Sequence, residues 1–195
     1  MPKTNDEYKP ELSIVRTLSQ FPDGIDIDFI GITRTKSATN ESIIPSNELL
    51  TRISSSLMPL VEKKLIKVKG GEIYRPRHVH EIHRILYKED RVTPEMQNIE
   101  KAALIAVDHY GSEHGKYYTE GHTMDDIITL FTLAGFSDIQ DIMRGLSLAL
   151  YDKLIENVKN PNGSMVYVLT QYGGEELKRI APELKRDDRA SQMYV

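Results

Sequence analysis

The stretch LVEKKLIKVKGGEIYRPRHVHEIHR, Leu60 to Arg84, contains a basic ribbon centred on two glycines and ends in three closely spaced histidines. Gly70 and Gly71 separate two runs with β propensity, and adjacent glycines readily supply the positive φ angles of a two-residue hairpin loop. The stretch therefore predicts a β-hairpin followed by a helix over HVHEIHRILYKE. With this loop, three residue pairs lie opposite each other in the hairpin: Lys67 and Tyr74, Val68 and Ile73, Lys69 and Glu72.

A helix is predicted immediately before the hairpin. Ser46 is a suitable N-cap for NELLTRISSSLMPLVEKKL, whose apolar residues recur at helical spacing. Pro59 argues against an uninterrupted helix, because an interior proline lacks an N–H and kinks the backbone. A break in the helix near residues 55–59 is therefore an alternative. Further upstream, PELSIVRTLSQF predicts a helix. IDIDFIGIT alternates like a strand, although the repeat described next calls for a helix there.

The second half of the chain repeats this order of elements after YKEDRVTPEMQN, a charged segment with a helix-breaking proline. Helices are predicted for NIEKAALIAVDHYG, for MDDIITLFTLAG with Thr123 as N-cap and Gly135 at its end, and for IQDIMRGLSLALYDKL with Asp138 as N-cap. LIENVK and SMVYVLT predict a second hairpin, because NPNG between them consists of turn residues. GGEELKRIAPEL predicts a closing helix.

The order of elements in both halves resembles the winged-helix fold. ISSSLMPLVEKKLIKV is similar to the recognition helix and first wing strand of MarR-like and PadR-like regulators, and YVLTQYGGEELKRI is similar to their second wing strand and following helix. The chain departs from that pattern at the usual glycine before Leu-Ile, which is Lys64 in the first half and Lys153 in the second. The resemblance implies a mainly α fold with small β-hairpins (α+β), built as two winged-helix domains in tandem. The expected domains are residues 8–90 and 94–185, followed by a polar tail, 186–195.

The composition of the 195 residues excludes several classes of protein. The hydrophobic fraction is 39% and the charged fraction 28%, as in a folded water-soluble chain. No apolar run approaches the roughly 20 residues that span a bilayer, and MPKTNDEYKP lacks the apolar core of a secretion signal. The absence of cysteine excludes disulfides and thiolate metal ligands. A cytoplasmic protein with no membrane partner is expected.

Charge is distributed unevenly along the chain. Residues 1–92 hold 15 Lys and Arg against 13 Asp and Glu, whereas residues 93–195 hold 10 against 16. Between Arg34 and Arg84 there are 10 basic and 5 acidic residues. Because phosphate attracts cations, the first half is the candidate for contact with nucleic acid and the second half is not.

The winged-helix resemblance and the charge together predict a DNA-binding surface in the first half. Alternation along the hairpin assigns its lysines to a solvated face, beside the polar face of the preceding helix. Serine, lysine and arginine are common phosphate contacts, and arginine also reads guanine in the major groove. The predicted DNA-binding residues are Arg52, Ser55, Ser56, Lys63, Lys67, Lys69, Arg75 and Arg77.

The expected function is a transcriptional regulator that binds double-stranded DNA through the first winged helix. Two alternatives remain open: a non-enzymatic tandem winged-helix scaffold of a protein complex, and a plasmid or viral replication initiator. The acidic second half favours protein contact, either as a homodimer or with another protein. Gly145 and Ala149 have small side chains, which should allow another protein to pack closely against the long helix of the second half. Residues 94–110 and 174–184 are the expected dimer surfaces.

The histidines raise the possibility of a metal site. His80 and His83, at i and i+3, could share a helix face with His78 nearby, and neutral imidazole is a good zinc ligand. No third protein ligand shares that face, so surface or half-buried histidines without a metal are expected. The chain has no P-loop, dinucleotide-binding glycine fingerprint or nucleophile elbow, which predicts a protein that is not an enzyme and has no cofactor.

Overall fold

The computed structural model describes residues 25–26, 55, 57–63, 65–69, 72–74, 76–88, 93–114, 121–160 and 162–184. The chain divides into two compact units, Met1–Pro76 and Arg77–Val195. Its elements are mainly helices with small antiparallel sheets, an α+β architecture. Within the described residues, no helix is long and apolar enough to cross a bilayer.

The first unit contains a small antiparallel sheet next to a helical segment. Its strands are β1 (Ile25–Asp26), β2 (Lys67–Lys69) and β3 (Glu72–Tyr74), and β3 lies between the other two. Residues 57–62 are helical and lead into β2. Part of IDIDFIGIT is therefore a strand, in agreement with its alternating pattern and not with the helix that the repeat suggested.

The second unit contains five helices and a two-stranded hairpin within the part of the chain that the structure describes. The helices are α1 (Arg77–Leu86), α2 (Met96–His114), α3 (Met124–Leu133), α4 (Ile139–Tyr151) and α5 (Gln171–Ile180). The strands β4 (Ile155–Lys159) and β5 (Met165–Leu169) lie between α4 and α5. Each of these elements falls within, or close to, a segment whose sequence predicted it.

Helix α2 is the central helix of the second unit and contacts α1, α3, α4, α5 and β5. Residues 102–107 are all buried, and three of the six are alanines, which allow neighbouring helices to approach closely. The approach is tightest at α4, where a Cβ on Gly145 would lie 2.7 Å from Cγ2 of Ile99. Two expectations are corrected here: much of 94–110 is core rather than a dimer surface, and Gly145 and Ala149 are buried inside the unit.

Local hydrogen bonds fix where α3 and α4 begin. The Thr123 hydroxyl accepts from the N–H of Asp126, and the Asp126 carboxylate accepts from the N–H of Thr123, a reciprocal capping box. The Asp138 carboxylate accepts from the N–H of Asp141 and caps α4. These are the N-caps that the sequence predicted.

The C-terminal ends of α3 and α4 follow one pattern. Gly135, after α3, has a φ of 89°, and the N–H of Phe136 donates to the Phe131 carbonyl at 2.9 Å. Lys153, after α4, has a φ of 57°, and the N–H of Leu154 donates to the Ala149 carbonyl at 2.8 Å. This six-to-one bond with a left-handed residue is the Schellman motif, in which glycine is the usual left-handed residue, as at Gly135, whereas Lys153 occupies that position after α4.

The two units share a strand order as well as a helix ending. In the first unit, Leu65 N–H donates to the Leu60 carbonyl at 2.8 Å, the same six-to-one bond that closes α4. The outer strand β1 pairs with β3, with Ile25 opposite Ile73. In the second unit, an isolated antiparallel bridge joins His122, just before α3, to Tyr167 of β5. In both units, therefore, the last hairpin strand pairs with a residue that precedes the hairpin's helix.

The observed division of the chain lies earlier than the domain limits 8–90 and 94–185 inferred from the sequence. The boundary between the units falls at Pro76–Arg77, so α1 belongs to the second unit. The physical reason is packing: Val79, Ile82 and Leu86 of α1 are buried, and α1 contacts α2 and α3. The predicted polar tail, 186–195, lies outside the described residues.

Candidate nucleic-acid interface

The hairpin of the first unit has the predicted register. Lys67 pairs with Tyr74, Val68 with Ile73, and Lys69 with Glu72. Ile73 is buried. Residues on a strand alternate between its two faces, so the predicted position of Lys67 and Lys69 on the solvated face depends on this register. Gly70 and Gly71, the predicted loop, lie outside the described residues.

The helical segment before the hairpin has one buried side and one exposed side. Leu57 and Leu60 are buried, whereas Met58 is 54% exposed. Residues 57–62 are helical on both sides of Pro59, so this proline does not end the helix. The Pro59 carbonyl accepts from the N–H of Lys63 at 3.0 Å. The predicted break near residues 55–59 is therefore not observed at Pro59.

Five of the eight predicted DNA-binding residues lie in the described part of the chain, in three different elements or their ends. Ser55 is helical and exposed, and Lys63 is an exposed turn residue at the end of the same helix. Lys67 and Lys69 both lie on β2. Arg77 begins α1 in the second unit, and its guanidinium lies 3.5 Å from the Glu183 carboxylate. Arg52, Ser56 and Arg75 lie outside the described residues.

The three histidines of α1 contact different parts of the second unit. His78 is buried, with Nε2 at 3.2 Å from the Asp108 carboxylate on α2. His83 Nδ1 donates to the Ala134 carbonyl at 2.9 Å, at the end of α3. His80 is exposed. The histidines therefore do not converge, and no group of three His, Asp or Glu side chains that could hold a metal occurs among the described residues.

The end of α3 is held by a second side chain of α1. The Tyr87 hydroxyl donates to the Gly135 carbonyl at 2.9 Å, and its ring lies 4.8 Å from that of His83. Burial raises the pKa of Tyr87. Because the last carbonyls of a helix lack partners within the helix, these two bonds satisfy groups that would otherwise need water. The histidine pair that suggested zinc thus includes a residue that caps a helix.

The exposed face of α4, the helix before the second hairpin, is not suited to phosphate. Asp138 is exposed at its start, and Arg144 donates to Asp141 at 3.1 Å, which neutralises the helix's own cation. The exposed side also carries apolar residues that no sequence argument singled out: Ile139, Met143, Leu148 and Tyr151. Met143, Leu148 and Tyr151 fall outside the buried stripe at helical spacing, which is the signal that could have revealed them.

A group of carboxylates lies where α2, the end of α4 and α5 meet. Burial of Glu100, followed by its repulsion and hydrogen bond with Asp152, raises the Glu100 pKa; Glu176 adds to this, and Lys101 opposes it. A hydrogen bond between two carboxyl groups requires that one of them hold a proton. The pKa of Glu176 is lowered, chiefly by its hydrogen bond from Arg179. Sequence reasoning did not find this group, because its members are far apart in the chain.

Comparison with protein-family models, with curated proteins and with solved structures finds no match to this chain.

Proposed function

We propose that this protein is a non-enzymatic, cytoplasmic regulator of transcription that binds double-stranded DNA through its first unit. The contacting elements are the helical segment that ends near Lys63 and the β2–β3 hairpin with Lys67 and Lys69. The observation that carries the proposal is the strand order β1–β3–β2 with a helix leading into β2. That order is the one expected of a winged helix, and an analogous bridge recurs in the second unit.

Charge supports the choice of the first unit over the second. Two lysines in a three-residue strand place cationic groups on the hairpin, where a wing would meet the phosphate backbone. In the second unit, the corresponding helix is capped by Asp138 and carries an Arg144 that is already paired with Asp141. The two units share an order of elements and differ in charge, which suits one unit for DNA and the other for protein.

The test is duplex binding by the whole protein over a series of salt concentrations. Each lysine–phosphate contact releases condensed counterions, so Lys67→Ala with Lys69→Ala should weaken binding to all sequences and lower the salt slope by about one per lysine. Lys159→Ala, on the hairpin of the second unit, is the matched control and should leave the slope unchanged. If the control abolishes binding and the double variant does not, the units have been assigned in reverse.

The second candidate function is a tandem winged-helix scaffold in a protein complex. Four large apolar side chains exposed on α4 favour it, because apolar side chains left exposed on a helix are available for contact with another protein. The same salt series separates the two functions. Absence of duplex binding even at low salt would favour the scaffold and reject DNA binding.

A further inference from the structure

The helical segment before β2 in the first unit has an exposed stripe that contains an apolar residue and an acid. Ser55, Met58 and Glu62 are all helical and exposed, and Met58 is 54% exposed. Their spacing of three and four residues places them on one side of a helix. Leu57 and Leu60, on the other side, are buried. The exposed stripe is therefore the surface that this helix presents to a partner.

The end of this helix is tied to the beginning of the hairpin. The N–H groups of Leu65 and Ile66 donate to the Leu60 carbonyl at 2.8 and 3.4 Å, and both residues are buried. The strand β2, with Lys67 and Lys69, begins immediately afterwards. A duplex whose backbone is bound at β2 therefore also lies beside the helix.

Neither Met58 nor Glu62 is suited to contact with the phosphate backbone. The methionine side chain has no positive charge, and the Glu62 carboxylate repels phosphate. Among the described residues, no ion pair includes Glu62. An acid that no cation neutralises lowers the affinity of a helix for nucleic acid of any sequence. Contact with a base edge gives this acid a role in choosing the sequence instead.

The base edges in the major groove offer a partner for each of the two side chains. The C5 methyl group of thymine is apolar surface that a methionine can cover. A carboxylate has only acceptors, so it accepts from the N4 amino group of cytosine, whereas the O6 and N7 acceptors of guanine repel it. Adenine has a donor at N6, but its neighbouring N7 acceptor disfavours a carboxylate. Methionine thus matches thymine, and glutamate matches cytosine.

We propose that Met58 and Glu62 determine the sequence specificity of DNA binding, Met58 by covering a thymine methyl group and Glu62 by accepting from a cytosine amino group. This assignment rests on the proposed function and deepens it, because Lys67 and Lys69 hold the phosphate backbone whereas the exposed stripe selects the bases. Four residues of α-helix rise about 6 Å, and successive bases of one strand are about 3.4 Å apart. With the helix along the groove, the preferred site holds its thymine and cytosine within about two base-pair steps.

The first experiment selects duplexes from a random pool with the whole protein and sequences those that bind. Glu62→Gln should change the preference at one position from cytosine to adenine, because glutamine pairs with both N6 and N7 of adenine. It should also strengthen binding to unrelated duplexes, since a charge that repels phosphate is removed. Glu156→Gln, at an exposed position on β4 of the second unit, is the matched control and should leave the selected site unchanged.

The second experiment replaces each thymine of the selected duplex in turn by uracil, which lacks the C5 methyl group. One of these replacements should weaken wild-type binding about fourfold, the value of one buried methyl group. Met58→Ala should be insensitive to that replacement, because the covering side chain is already gone. Met165→Ala, whose methionine is 52% exposed on β5, should keep the wild-type sensitivity. Because both methionines are exposed, both variants should fold, which far-ultraviolet circular dichroism checks.

Failure of this assignment and failure of the proposed function give different results. An unchanged base preference in Glu62→Gln, or equal sensitivity of the wild type and Met58→Ala to uracil, would overturn the assignment of that residue. DNA binding by the first unit would then still stand on the weaker, sequence-independent binding of the Lys67→Ala, Lys69→Ala variant. Absence of duplex binding by the wild type even at low salt would overturn the proposed function and the assignment together.

Discussion

Gly173 lies directly against the backbone carbonyl of Leu154. A Cβ at position 173 would stand 1.8 Å from the Leu154 oxygen, far inside any contact that real atoms make. The same carbonyl accepts hydrogen bonds from the N–H of Thr170 at 3.0 Å and from its hydroxyl at 3.1 Å. The Thr170 hydroxyl also accepts from the N–H of Gly173 and so caps α5. The end of α4 and the beginning of α5 are thereby held together as one structure.

The first prediction tests this contact. Gly173→Ala should destabilise the protein by about 3 kcal/mol, the upper end of the cost of overpacking, even though alanine favours helix. Gly174→Ala is the matched control, because nothing lies within 4 Å of a Cβ at that position. It should be neutral or stabilising by up to about 1 kcal/mol. Urea unfolding followed by circular dichroism measures both, and equal stabilities of the two variants would contradict the packing.

The second prediction concerns Lys153, which adopts a φ of 57° beyond the end of α4. Left-handed backbone costs a residue with a side chain about 1 kcal/mol more than glycine, so Lys153→Gly should stabilise the protein by about that amount. Lys178→Gly, in the last turn of α5, should instead destabilise it by roughly 0.5–1 kcal/mol. Urea unfolding at one low protein concentration compares them. A loss of stability in Lys153→Gly would contradict the conformation.

The third prediction concerns Glu100, whose pKa burial and the neighbouring Asp152 and Glu176 raise above the ordinary value of 4.5. The folded protein therefore holds this proton more tightly than the unfolded chain does. The stability that Glu100 contributes is complete below pH 4.5 and is lost as the pH rises through the folded-state pKa.

Glutamine resembles the protonated form of Glu100. Glu100→Gln should consequently stabilise the protein at pH 7 by a few tenths to about 1 kcal/mol, and should flatten the decline in stability above pH 4.5. Glu156→Gln, an exposed position on β4, serves as the control. Thermal unfolding across a pH series provides the measurement. Destabilisation of Glu100→Gln at neutral pH would show that the charged form is the favoured one.

The fourth prediction concerns how arginines of the candidate DNA surface act. Arg52→Ala should relax the preference at one base position by roughly 1–3 kcal/mol if Arg52 reads guanine, although this residue lies outside the described part of the chain. Arg77→Ala should have a smaller effect that is uniform over sequences, because Arg77 already pairs with Glu183. Binding to a panel of single-base variants of one site distinguishes them. A sequence-specific loss in Arg77→Ala would reverse these roles.

The fifth prediction separates the structural role of the histidines from metal binding. His78→Ala should cost roughly 1–3 kcal/mol, because Asp108 would lose a buried partner. His80→Ala, at an exposed position, should change stability by no more than about 0.5 kcal/mol. Treatment with a chelator should leave the unfolding of the wild type unchanged, as judged by calorimetry. Stoichiometric zinc in the purified protein, lost in His80→Ala, would restore the metal site.

In the part of the chain that the structure describes, the sequence alone determined most of the elements and several of their ends. Thr123, Asp138 and Gly135 are local signals, because a cap or a left-handed residue acts on backbone groups within four or five positions. The register of the first hairpin could likewise be predicted, since a two-residue loop leaves one way to pair the flanking residues. The sequence also showed that Lys153 stands where glycine is usual before Leu-Ile, and a lysine there adopts the left-handed conformation at a cost in free energy.

Only the tertiary structure decided which surfaces meet. The burial of α2 on several sides, the assignment of α1 to the second unit, and the pairing of His78 with Asp108 all depend on how helices cross. Those crossings are set by close packing between residues distant in the chain, as at Gly145 and Ile99. Local propensity contains no term for such contacts. It therefore identified the helices, whereas packing selected their buried sides and left the apolar residues of α4 exposed.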